Sequence, residues 1–123
     1  MAKIKTIFCD IDGTLIRQVR FEDLNPNEVD LLPGVHEKMN KWYNDGHYIV
    51  LTTARPENLR LITKQQLDKG GIPYHQLVMG IGREERILIN NNSSKDEERN
   101  RALSVSVKRD AGFINSNWEE VGL

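Results

Sequence analysis

The run "TIFCDIDGTLI", residues 6–16, ends an apolar stretch in two aspartates one residue apart and continues at once into Gly13 and Thr14. Carboxylates this close repel, and each resists desolvation, so at a strand end they are costly unless a cation or a reacting phosphate binds them. Breaking a phosphate ester needs a nucleophile, a proton donor for the leaving oxygen, and positive charge or donors for the equatorial oxygens. Asp10 can attack phosphorus while Asp12 faces the leaving group across the turn, and a magnesium ion would offset the repulsion between acid and phosphate. Gly13 lets the chain leave the strand sharply, and the Thr14 hydroxyl can fix the second acid by a local hydrogen bond.

Such a pair works only where other segments converge on it. "KIKTIFCD" reads as a buried first strand and "HYIVLTTA" as a second, ending in Thr52 and Thr53. "YHQLVMG", "ERILIN" and "ALSVSV" are three further strand candidates. Between them, "LLPGVHEKMNKWYNDGH" predicts a helix with Val35, Met39, Trp42 and Tyr43 inward and Gly46 at its stop. A second helix follows Pro56, with Leu59, Ile62 and Leu67 on one side and Gly70 and Gly71 at its end. Strands alternating with helices indicate an α/β fold, a parallel sheet covered on both faces, with ligands bound beyond the carboxyl ends of the strands. That rule brings Asp10 and Asp12, Thr52 and Thr53, and Asn90 to Asn92 to one edge.

A chain of 123 residues has room for one core, so residues 1–123 are expected to form one domain. Seventeen basic against 18 acidic residues leave a formal charge of -1, so no global field draws the chain to nucleic acid or a membrane, and neither is expected as a partner. The apolar run after the N-terminal lysines reaches Asp10 too soon for a signal sequence or a spanning helix, which predicts a cytoplasmic protein. The single Cys9 reads as a small buried hydrophobe. "NNNSSKDEERNR", residues 90–101, reads as a polar loop.

These residues carry a resemblance. "DIDGTL" at 10–15 resembles the first motif of the haloacid dehalogenase superfamily, DxDGT after an apolar strand, and "IVLTTARPE" at 49–57 is similar to the second, a strand ending in Thr or Ser. The resemblance implies a Rossmann-like three-layer sandwich around a mainly parallel sheet, and a magnesium-dependent phosphatase working through an aspartyl-phosphate. Asp10 would be the nucleophile and a metal ligand. Asp12 would be the general acid and then the base, with its backbone carbonyl on the metal. Thr53, with Thr52 as fallback, would bind phosphate together with the Ala54 amide. The family's basic residue would be Arg83 first, Arg86 second, with Lys64 a further candidate.

Asn91 stands where the family carries a metal-binding Asp. Its amide oxygen can ligate magnesium but brings no charge, so metal affinity and catalytic efficiency should fall. The spacing leaves no room for a cap domain; "IRQVRFEDLNPNEVD" fits a short flap instead. The chain therefore looks like a capless member, similar to small sugar-phosphate phosphatases, with a small phosphorylated substrate and scope for a homo-oligomer in which a neighbouring subunit closes the site. The alternative is a catalytically impaired relative that binds a phosphorylated ligand or a protein partner. Trp118 in the tail reads equally as docking onto the domain or as a subunit contact.

Overall fold

A computed structural model describes residues 3–92 and 100–123. Three strands, β1 (Thr6–Asp10), β2 (Tyr48–Thr52) and β3 (Gln76–Val78), form a parallel sheet in the order β1-β2-β3. Two helices, α1 (Val35–Asn44) and α2 (Arg60–Lys69), lie in the crossovers. This is the expected α/β, Rossmann-like arrangement. In β2, Ile49, Val50 and Leu51 are all buried, as the apolar run of a central parallel strand requires. The β1–β2 register sets Cys9 against Leu51 and Asp10 against Thr52, so both strands end level.

One face of the sheet, with Cys9, Ile49, Leu51 and Leu77, packs on Val35, Met39 and Trp42 of α1, on Leu67 of α2 and on Phe113 in a single core cluster. Val35, Met39 and Trp42 point inward as their spacing predicts, but Tyr43 is 41% exposed and stacks on the His75 ring at 4.9 Å. It sits one position beyond the buried stripe of α1, where an aromatic finds a partner at the surface rather than in the core. Cys9 is buried, and burial pushes its thiol up to about 12, so it behaves as the expected hydrophobe. The opposite face presents Phe8, 58% exposed, beside Tyr48 and Val78, and no helix of the described residues joins the core cluster from that side.

Neither "ERILIN" nor "ALSVSV" forms a strand, and the described sheet ends at β1. Ile87 and Ile89 are 86% and 88% exposed, with no helix of the described residues over them. A three-residue apolar run gains strand stability only by joining a covered sheet. The polar loop expected at 90–101 falls largely on residues 93–99, outside those described.

Between β1 and α1 no cap domain intervenes. Residues 17–34 form the short flap, with a 3-10 turn at Phe21–Asp23 and a bridge from Ile16 to Leu31 at its base. The tail docks on the domain: Trp118 Nε1 donates to the Phe113 carbonyl at 2.9 Å, and its ring meets Trp42 edge-on at 5.0 Å. No helix among the described residues is long and apolar enough to cross a membrane.

Candidate active site

Where β1 ends, the chain winds tightly. The amides of Thr14, Leu15 and Ile16 all donate to the Ile11 carbonyl, and Gly13 adopts a φ of +79°, which an L side chain rarely tolerates. The winding turns Thr14 back over the strand end, where its hydroxyl donates to Asp10 Oδ2 at 3.1 Å. The expectation that Thr14 fixes the second acid is thus corrected: it steadies the first. Burial drives the Asp10 carboxyl above its ordinary value and nearby Asp12 adds to the rise, while Thr14, the Ile11 amide and Arg86 work against it.

Asp12 is held by another group. Arg55 is fully buried and grips Asp12 bidentately, Nε to Oδ2 at 3.0 Å and Nη2 to Oδ1 at 2.8 Å. Its Nη1 donates to Thr63 Oγ1 at 2.9 Å and to Gln66 Oε1 at 2.7 Å. The buried face of α2 is partly polar for this reason. Gln66 in turn donates from Nε2 to the carbonyls of Asn25 and Glu28 at 3.1 and 3.2 Å, so one network joins Asp12, α2 and the flap. A buried guanidinium is tolerable only when its charge and donors are satisfied, and here they are.

Above this turn lies a pocket of about 410 Å³ lined by Asp10, Asp12, Gly13, Thr14, Gln18, Ala54, Arg83, Arg86, Val107 and Arg109. Asp10, Asp12, Ala54 and Arg83 are brought together there. Thr53 does not line it: its side chain is buried and its Oγ1 accepts from the Arg55 amide at 3.1 Å. Of the basic candidates, Arg86 forms an ion pair with Asp10, Nη1 3.7 Å from Oδ1. Arg83 instead lies over the Phe21 ring at 4.7 Å, and Lys64 opens onto a different depression beside Tyr74. Asn91 is not brought to the pocket; its Oδ1 accepts from Arg101 Nη1 at 3.1 Å.

The haloacid dehalogenase-like hydrolase family matches residues 7–96, well over half of the chain and inclusive of both motifs. The chain belongs to the haloacid dehalogenase-like hydrolases. Among solved structures it is similar to a chain of the Pnkp1/Rnl/Hen1 RNA repair complex, at 26% identity and a TM-score of 0.54, over 68% of this chain and 28% of that one. It is also similar to a protein from Vibrio cholerae, at 21% identity and a TM-score of 0.51, over 75% and 84% of the two chains. A third is a D,D-heptose 1,7-bisphosphate phosphatase from B. bronchiseptica with magnesium and phosphate bound, at 20% identity and a TM-score of 0.50, over 67% and 53%. The match thus spans under a third of the repair-complex chain. The likeness to the last two, at their low identity, is one of fold. No curated protein matches the chain.

In this haloacid dehalogenase-like chain, magnesium would find the Asp10 carboxylate and the Asp12 backbone carbonyl. Among the described residues there is no cluster of three His, Cys, Asp or Glu. Magnesium commonly takes one or two carboxylates and completes its shell with water and substrate phosphate, so these donors fit it as a sparse site. Two functional residues escape the sequence reading. Arg55 was visible only as part of "TTARP", and its role needs α2 to come alongside. Arg109 sits in "RDAGF", at most a loose echo of the family pattern, and reaches the pocket because the Asp110 amide donates to the Gly13 carbonyl at 2.8 Å.

Proposed function

We propose that the chain is a magnesium-dependent phosphomonoesterase acting on a small phosphorylated metabolite, a sugar phosphate being the leading class. The observation that carries this reading is the meeting of Asp10, Asp12 and Arg86 in one pocket on the family's first motif. The bound phosphate and magnesium of the heptose bisphosphate phosphatase, a relative in fold, are in keeping with it.

Asp10, steadied by Thr14, attacks phosphorus, and the ester oxygen leaves with a proton from Asp12. Water then attacks the aspartyl-phosphate, its proton passing to Asp12, which frees inorganic phosphate and restores Asp10. Arg86 offsets charge on the equatorial oxygens, and the Ala54 amide is a further donor to them. Arg55 donates to both Asp12 oxygens and fixes the carboxyl plane, and each oxygen keeps a second lone-pair site, one of which carries the proton given to the leaving oxygen and then taken back from water. Magnesium, held by the Asp10 carboxylate and the Asp12 carbonyl, would supply positive charge that offsets the repulsion between carboxylate and phosphate. Thr53 acts indirectly, by bracing the Arg55 backbone.

A homo-oligomer belongs to the same reading, since Ile87, Ile89 and Leu103 are apolar side chains left exposed. The test is a screen of sugar phosphates, nucleotides and phosphorylated acids with magnesium, repeated with a chelator. Turnover of at least one ester that chelation abolishes is expected; no phosphate release from any ester would refute the proposal.

A further inference from the structure

The pocket carries more positive charge than one reacting phosphate needs. The Asp12 carboxylate is matched by Arg55, and Asp10 faces Arg86. Arg83 and Arg109 also line the pocket, and among the described residues neither is in an ion pair. Both are held in place. Arg83 lies over the Phe21 ring of the flap at 4.7 Å, a cation–π contact that holds the group beside the pocket. Arg109 is fixed through its neighbour. Asp110 takes a φ of 60°, its amide donates to the Gly13 carbonyl at 2.8 Å, and its Oδ1 accepts from the Gln18 amide at 2.9 Å. The Arg109 stem therefore lies against Gly13, where an added Cβ would stand 3.2 Å from its Cγ. Two guanidinium groups thus stand beside the pocket, one from the segment after β3 lying against the flap and one from the 108–113 turn, separate from the Arg86 that faces Asp10. The planar fork of arginine suits phosphate oxygens in particular.

We propose that Arg83 and Arg109 bind a second phosphoryl group, so that the substrate is a phosphomonoester carrying another phosphate elsewhere in the molecule. This rests on the phosphatase reading for the first phosphate and extends it to the substrate class. A pocket of about 410 Å³ has space for more than a lone phosphate. The second phosphate could belong to a small bisphosphate or to the phosphodiester next to a polynucleotide end; the chemistry that binds it is the same.

The test is calorimetric binding to the Asp10→Asn protein with magnesium at physiological salt, comparing glucose 1,6-bisphosphate with glucose 6-phosphate. The bisphosphate should bind about ten-fold tighter or more, as charge-assisted bonds to phosphate imply. The R83A/R109A substitutions in the same background should shrink the ratio to about two-fold or less. Both side chains are exposed, so these substitutions leave the core untouched. Equal affinity for the two sugars, no binding of either, or a preference that survives loss of both arginines would overturn the proposal. An oligonucleotide ending in a 3′-phosphate, measured beside the bisphosphate, separates the sources: tighter binding assigns the second group to a phosphodiester, weaker binding to a small metabolite. Failure of the phosphatase reading shows separately, as absent turnover by the wild type, and leaves the binding ratio readable.

Discussion

Asp10 and Asp12 stand two positions apart yet bear on stability in opposite senses. Burial raises the Asp10 carboxyl above its ordinary value, so the fold disfavours its ionised form and at neutral pH that charge is a burden. Asp10→Asn should therefore melt at or above the wild-type temperature; a clearly lower midpoint would show that the charge is instead stabilised by its neighbours. Asp12, 11% exposed at its side chain, is the counter-charge of a fully buried guanidinium. Asp12→Ala strands Arg55 and should cost about 3–5 kcal/mol in urea unfolding. A loss under about 1 kcal/mol would mean that Thr63 and Gln66 alone satisfy the arginine. Any loss of activity in Asp12→Ala would thus be partly loss of fold, whereas in Asp10→Asn it would be chemistry alone.

At the scale of elements, α2 presents Thr63 and Gln66 inward to hold Arg55, and the start of the sheet depends on His47. Its Nδ1 accepts the Lys5 amide at 3.0 Å, and burial keeps the imidazole below its ordinary 6.5. The unfolded chain therefore takes up the proton first. The stability this bond contributes is present above about pH 6.5 and is lost as pH falls through the folded value. Urea midpoints at about pH 7.5 and 5.5 should differ, and His47→Gln should narrow the gap; an unchanged gap would place the titration elsewhere. Gln66→Leu should cost about 1–3 kcal/mol, because an Arg55 donor and two flap carbonyls lose their partner. The ends of β1 and β2 and the Val35, Met39 and Trp42 stripe of α1 were legible because apolar runs and four-residue spacings record burial, whereas α2 buries Thr63, Gln66 and Leu67 in place of the expected Leu59, Ile62 and Leu67. The Arg55 network was not, since it depends on a turn, a helix and a flap meeting in space. "ERILIN" misled for the converse reason: an apolar run records hydrophobicity, and pairing also requires a covered partner.

For the whole molecule, long-range contacts carry the site to its final form. Trp42, Phe113 and Trp118 pack together, with ring centroids 4.9–5.6 Å apart, and anchor the tail beside the turn that delivers Arg109. Trp118→Ala should lower stability by about 3 kcal/mol. It should also weaken bisphosphate binding more than monophosphate binding; equal weakening would detach the tail from the pocket. The exposed Ile87 and Ile89 should bring copies of the chain together in sedimentation, and Ile87→Lys with Ile89→Lys should disperse them; a wild type that is monomeric at all concentrations would contradict it. The central claim is that the Asp10 carboxylate carries the reaction, and it is tested most directly by phosphate release from one accepted ester with magnesium, wild type beside Asp10→Asn. Steady release by the wild type and none by the variant is the predicted result; release at the same rate by both would contradict it.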